Sequence, residues 1–226
     1  GNTTGAIDIS AYKFNAPGGV GQPAWVHLIE VADDYRGTYR RGEPDIAEKY
    51  AAMVDEALSA IANGGGKLAG FIAETFPSVG GQIIPPKGYL PKVYERIRAA
   101  GGVCIADEVQ TGLGRLGEYY FGFEEQGAIP DIVVLGKPIG NGHPLGVLVT
   151  TREIDDSFAK DLGFEDLGKL KDTIRKGLEE KNKRDVKMDL ERQIVDNLIK
   201  SVHFEIPHSL IDSEKKRLLK DANMNH

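Results

Sequence analysis

Gly101-Gly-Val-Cys-Ile-Ala-Asp-Glu-Val-Gln110 and Asp131-Ile-Val-Val-Leu-Gly-Lys-Pro-Ile-Gly-Asn-Gly142 are two short apolar runs, each ending in a charged residue and a turn. Asp107 closes the first and Lys137 closes the second. Runs of this length and β-branched content, bounded by Gly and Pro, read as strands buried on both faces. Working outward, a strand is expected at Trp25–Glu30 after the Gly/Pro loop 17–23. A helix is expected over Ile46–Ala62, with Tyr50, Val54, Leu58 and Ile61 on one face and Gly64–Gly66 ending it. A strand Leu68–Glu74, a loop 77–88, a helix Tyr89–Ala100 and a strand Val103–Ala106 follow, then strands Ile132–Leu135 and Gly146–Thr150. Strands alternating with helices predict an α/β fold with a mainly parallel sheet.

Open sheets of that kind gather functional groups outside the carboxyl ends of their strands, where Asp107 and Lys137 fall. An amine and a carboxylate there suit pyridoxal phosphate (PLP). The amine can hold the cofactor's aldehyde as a Schiff base, and the carboxylate can keep the pyridine nitrogen protonated. The same residue types also serve as a solvated turn lysine and a capping aspartate. Three longer motifs go further: Glu-Thr-Phe-Pro-Ser-Val-Gly-Gly-Gln-Ile-Ile-Pro-Pro (74–86), Asp-Glu-Val-Gln-Thr-Gly-Leu-Gly-Arg-Leu-Gly (107–117) and Leu-Gly-Lys-Pro-Ile-Gly-Asn-Gly-His-Pro-Leu (135–145). In this order they resemble the large domain of class III, ornithine/4-aminobutyrate-type aminotransferases. Ile-Pro-Pro-Lys-Gly-Tyr and Gly-Lys-Pro-Ile-Gly-Asn-Gly-His-Pro look nearest to the branch with alanine–glyoxylate-type enzymes and ethanolamine-phosphate phospho-lyase. The resemblance runs from Gly1 to about Ile154.

The resemblance implies part of a fold type I PLP-dependent transferase large domain. It makes Lys137 the Schiff-base lysine, which then shuttles a proton between the substrate α-carbon and the cofactor. Asp107 would pair with the ring nitrogen, Val109 would pack on the ring face and Gln110 would reach the phenolic oxygen. Glu74 matches an acidic position near the substrate that pairs with an Arg in relatives; a strand-end cap is the competing role. His143, in Gly-Asn-Gly-His-Pro, is expected to serve turn geometry. The 17–23 loop lacks the strand–loop–helix setting of a phosphate loop. The implied reaction transfers an amino group between an amine or amino acid and a 2-oxo acid, in a family expected to be homodimeric. A PLP-dependent phospho-lyase is the alternative.

Bulk properties narrow the classes. Hydrophobic residues make up 41% of 226, enough for a core, and the net charge of −6 argues against a nucleic-acid surface. Cys104 is the single cysteine, so no internal disulfide or thiolate metal cluster is expected, and its apolar run reads as core. With no run of about 18 apolar residues and no signal-peptide pattern, a cytoplasmic protein without membrane partners is expected. The first residue is not Met, and Gly1–Ser10 resembles the middle of the family sequence. A fragment is therefore expected, without the phosphate-cradling turn and with little turnover.

The chain changes character after residue 151. Residues 152–226 hold 16 Lys+Arg and 17 Asp+Glu, which is 33 of the 62 charges in a third of the chain. Leu167, Leu170, Ile174 and Leu178 form a helical stripe, and Leu190, Ile194 and Leu198 are expected to continue it. A second helix is expected over Ser209–Asn223, capped by Ser209, after a break at Phe204–Pro207. Ile154-Asp-Asp-Ser-Phe-Ala-Lys-Asp-Leu-Gly-Phe-Glu-Asp-Leu167, Ile-Arg-Lys-Gly-Leu-Glu-Glu and His203-Phe-Glu-Ile-Pro-His-Ser-Leu-Ile211 resemble the helical C-terminal domain of trigger factor, a ribosome-associated chaperone. The expected domains are a partial aminotransferase large domain, 1–153, and a trigger-factor-like helical segment, 154–226. The resemblance also allows chaperone-like binding of unfolded chains, or an inactive chimera. The apolar stripe is expected to pack helices together.

Overall fold

The computed structural model describes residues 3–202 and 207–223, so most of the expected break at Phe204–Pro207 lies outside the described residues. The chain forms two compact units, residues 1–155 and 156–226.

The first unit opens with two short helices, α1 (Thr4–Asp8) and α2 (Ala11–Phe14). Residues 26–30 are irregular, so the strand expected at Trp25–Glu30 does not form, and Trp25 sits 65% exposed in a turn. A strand needs a ladder partner; here the Glu30 carboxylate instead accepts from the N–H and hydroxyl of Thr38. The helix expected at Ile46–Ala62 divides into α3 (Ile46–Ala52) and α4 (Val54–Asn63). At Met53 the backbone tightens: its N–H bonds the Tyr50 carbonyl three residues back, at 3.2 Å. Of the expected face, Tyr50 and Val54 are buried, and Leu58 and Ile61 are half-buried. Gly64 ends α4.

Four strands form one sheet in the order β1 (Gly70–Glu74), β2 (Val103–Asp107), β3 (Ile132–Leu135) and β4 (Val147–Thr150). The first three are parallel and β4 is antiparallel to β3. Helix α5 (Tyr89–Ala99) makes the crossover from β1 to β2. Its buried residues Tyr89, Leu90, Val93, Tyr94 and Ile97 share one face, and Pro91 falls in the first turn, where a missing N–H is tolerated. A short helix α6 (Gly122–Gln126) lies between β2 and β3.

The core joins α3, α4 and α5 to one side of the sheet, through Tyr50, Ala51, Val54, Leu90, Val93, Tyr94, Ile97 and Cys104, with Phe71 packed against them. Each large apolar side chain so buried contributes roughly 1.5–3 kcal/mol. The other side of the sheet differs from expectation. Residues directly opposite in register share a face, so Ile72, Ile105, Ile132 and Thr150 line one row, and Glu74, Asp107, Val134 and Leu148 the next. Ile72 is 42% and Leu148 62% exposed. The strands are therefore not buried on both faces, because the described helices of the core cover only the Cys104 side.

In the second unit Gly163, in the left-handed region at φ +83°, ends α7 (Arg152–Asp161), whose first residues belong to the first unit. Asp166 caps α8 (Leu167–Ser201): its Oδ1 accepts from the Lys169 N–H at 2.8 Å. This helix is 35 residues long, about 50 Å at 1.5 Å per residue. Leu170 is its only buried residue. At about 100° per residue, Leu190, Ile194 and Leu198 fall roughly opposite Ile174 and Leu178, so they do not continue that stripe. Ile174, Leu178, Leu190, Ile194 and Leu198 are all exposed, so the expected helix packing along the stripe is not formed among the described residues. Helix α9 (His208–Asn223) starts one residue before Ser209, which lies inside the first turn and is no cap. No described helix is long and apolar enough to cross a membrane.

Candidate active site

Glu74 and Asp107 end adjacent parallel strands and are directly opposite in register, on the uncovered side of the sheet. Asp107 in turn faces Val134 on β3, three residues before Lys137. Burial pushes the Asp107 carboxyl above the ordinary carboxylate range, and the nearby Glu74 charge pushes the same way. The Val109 N–H, bonded to Asp107 Oδ1 at 3.0 Å, and the Lys137 charge oppose that rise. No hydrogen bond among the described residues reaches the second oxygen of Asp107.

Lys137 opens a 3-10 turn, Lys137–Gly140, immediately past β3 and is exposed. Its backbone lies in the left-handed region at φ +46°, uncommon for a residue with a side chain. Its amine takes no ion pair among the described residues. Val109 packs beside the same turn: a Cβ placed on Gly136 would lie 3.4 Å from both Val109 methyl groups. Gln110 follows in the turn after β2 and is half-buried. Glu74 acts as a strand-end cap, its Oε2 accepting from the Ser78 N–H and hydroxyl, both at 3.1 Å. No described Arg pairs with it. His143 is exposed in a turn, its N–H bonding the Gly140 carbonyl at 2.8 Å.

Sequence reasoning passed over Glu108. Only 2% exposed, it accepts four hydrogen bonds, from the hydroxyls of Thr75 and Thr111 and from the N–H groups of Gly122 and Phe123. Three of these partners lie 14 to 33 residues away, beyond any local pattern. Cys104 is fully buried, as expected, and burial pushes its thiol up to about 12. A cleft of about 330 Å³ runs along Asp33–Arg36, Arg41 and Gly81–Ile84, with neither Asp107 nor Lys137 in its wall. No group of His, Cys, Asp and Glu suited to a metal ion occurs among the described residues.

The family described as "Aminotransferase class-III" matches residues 10–163. The chain belongs to the class III aminotransferases. The C-terminus of bacterial trigger factor matches residues 166–226. Among relatives, the chain is 47% identical over 161 residues to an alanine–glyoxylate aminotransferase 2-like protein of Drosophila melanogaster, covering 70% of this chain and 33% of that protein. It is 36% identical to ethanolamine-phosphate phospho-lyase homolog 1 of Caenorhabditis elegans, covering 73% and 38%. Among solved structures, a phospholyase from Arthrobacter in complex with phosphoethanolamine superposes with a TM-score of 0.64 at 34% identity, covering 74% of this chain and 39% of that one. The chain spans about a third of the length of the curated relatives it matches. Class III aminotransferases and these neighbours are PLP-dependent, and the mostly parallel sheet with a separate helical C-terminal segment is the architecture expected from the sequence.

Proposed function

We propose that residues 1–153 are part of a class III aminotransferase large domain that holds PLP at the Asp107 end of the sheet, and that residues 154–226 are a trigger-factor-like helical segment. The reaction is amino transfer between an amine or amino acid and a 2-oxo acid, by an assembly that in this family is a dimer. One observation carries the reading: a desolvated carboxylate at the end of β2, with one oxygen uncommitted, lies within electrostatic reach of a lysine held in a strained turn past β3.

PLP supplies an electron sink for a carbanion at the substrate α-carbon. The residues present fit it. Asp107 offers its second oxygen to the ring N–H, and a cation there offsets the charge repulsion from Glu74. Lys137 would hold the aldehyde carbon through its amine, and that amine would carry a proton to and from the substrate α-carbon. Val109, beside Gly136, gives an apolar surface for the ring, and Gln110 a donor for the phenolic oxygen. Glu74, beside Asp107 in register, would face the substrate as a carboxylate that selects for a cationic or guanidinium-paired group.

Phospho-lyase chemistry on the same site is the second reading, favoured by the Arthrobacter phospholyase and Caenorhabditis elegans relatives. For the helical segment the exposed Leu190, Ile194 and Leu198, which share one side of α8, favour binding of apolar chains.

Titration of the full chain with PLP tests the proposal. A visible absorption band is expected, absent in Lys137→Ala, and borohydride should fix the cofactor on Lys137. Indistinguishable spectra for the two proteins would overturn it. Loaded protein supplied with alanine and glyoxylate, or with phosphoethanolamine, then separates transfer from lyase chemistry.

A further inference from the structure

Glu108 is the one buried acidic side chain among the described residues, and none of the roles above uses it. Its Oε1 accepts from the Thr75 hydroxyl at 2.6 Å and the Phe123 N–H at 2.9 Å. Its Oε2 accepts from the Thr111 hydroxyl at 2.7 Å and the Gly122 N–H at 2.8 Å. The four partners come from three segments of the chain. Thr75 follows Glu74 at the exit of β1, Thr111 follows Gln110, and Glu108 itself follows Asp107. Gly122 and Phe123 begin α6, on the way to β3.

The packing leaves no slack around these bonds. A Cβ on Gly122 would lie 3.0 Å from the Thr75 methyl, 3.1 Å from Glu108 Oε1 and 3.1 Å from Thr111 Cβ. The Glu108 N–H continues the ladder to the Val134 carbonyl at 2.9 Å, and its carbonyl takes the Gly112 N–H at 2.9 Å. One side chain thus ties together the two strand ends and the turn that carry Glu74, Asp107 and Gln110.

We propose that Glu108 is a positioning residue: its four bonds hold the spacing of Glu74, Asp107 and Gln110, so that the pyridine-ring contact of Asp107 is set before any cofactor arrives. This rests on the reading of the Asp107 end as the PLP site. Buried acceptors with every bond made fix geometry closely, because any displacement strands a donor away from water. The arrangement differs from a plain core contact in that Glu108 is itself the neighbour of Asp107, and two of its four partners, Thr75 and Thr111, are the neighbours of Glu74 and Gln110.

The test uses the full chain in four forms: wild type, Thr75→Val, Thr111→Val and Thr75→Ser. Valine keeps the shape of threonine and removes one donor, so folding survives through the three remaining bonds. Thr75→Ser keeps the donor. Each is titrated with PLP, recording affinity, the absorption maximum of the Lys137-dependent band and the pH midpoint of that band, with the melting temperature alongside. Both valine variants are expected to bind PLP about tenfold more weakly, the scale of one lost hydrogen bond, and to shift the pH midpoint. Serine should restore both. A lowered melting temperature with wild-type affinity and pH midpoint would overturn the proposal, since a merely structural bond does that much. If wild type itself shows no Lys137-dependent band, the PLP reading fails separately. The positioning role is then decided on the same chains without cofactor, by amide hydrogen exchange at Val109, whose N–H bonds Asp107. Exchange about tenfold faster in Thr75→Val supports it. Unchanged exchange at Val109 sinks it.

Discussion

Ile97 and Ile194 are the same residue on helices with regular apolar spacing, yet one is 2% exposed and the other 51%. Ile97 lies on α5, whose apolar face meets β2 and the helices α3 and α4. Ile194 lies on α8, which buries only Leu170 in 35 residues. Periodicity states which side of a helix is apolar; it does not state that anything covers that side. The first unit turns its apolar residues into stability, and the second keeps them on its surface.

The contrast breaks most sharply under truncation. Ile97→Ala should lower unfolding stability by about 2–5 kcal/mol, through lost burial and a cavity, read from the urea midpoint of the first unit. Ile194→Ala and Leu178→Ala should change the midpoint of their own, second unit by less than about 0.5 kcal/mol. Equal losses in the two units would show that the stripe on α8 is covered in solution.

Polar burial gives the next effect. In Glu108→Gln, either orientation of the amide sets its NH2 group against a backbone N–H, that of Gly122 or that of Phe123. The expected loss is about 1–3 kcal/mol by chemical denaturation.

Asp107→Asn should move stability the other way. Burial raises the folded carboxyl above its unfolded value, so as pH climbs from the unfolded value near 3.8 through the raised one, the folded chain holds the extra proton. Stability contributed by that proton is present at low pH and lost as pH rises. At neutral pH the asparagine variant, keeping the Val109 acceptor, should gain about 0.5–1 kcal/mol without cofactor, while losing the ring contact. Melting curves at pH 4 and pH 7.5 check it, the gain appearing only at the higher pH.

The smallest signal is chemical. With its thiol pushed up to about 12 by burial, Cys104 should not react with an aromatic disulfide at pH 8 until the first unit unfolds. Rapid labelling of the native chain would place the core boundary elsewhere.

Much of this was legible in advance, and the misses share a cause. The apolar runs at 103–107 and 132–135 became strands because β-branched content and flanking Gly and Pro leave few alternatives. The helix expected at Tyr89–Ala100 forms as α5 because its apolar residues Tyr89, Leu90, Val93, Tyr94 and Ile97 recur at helical spacing and share one face. Trp25–Glu30 misled because strand character needs an edge to pair with, which no local window contains. Leu190, Ile194 and Leu198 misled in phase: they and the earlier set Leu167, Leu170, Ile174 and Leu178 are each spaced well, but the gap between the two sets carries the second to the opposite side of the helix. In the candidate site, Asp107 and Lys137 stood out as charged ends of apolar runs, and Glu74 through the family resemblance. Glu108 did not, since a charge beside another charge looks like a turn until its distant partners are seen.

By itself the sequence determined the class of fold, the family of residues 10–163 and the change of character near residue 151, because these depend on local composition and on contiguous motifs. Only the tertiary structure decided that Glu74 and Asp107 are register neighbours, that one face of the sheet stays open and that a buried Glu108 joins the two strand ends. Those facts come from pairings across 14 to 33 residues, and the free energy of such contacts is set by which elements meet, not by what either segment prefers alone.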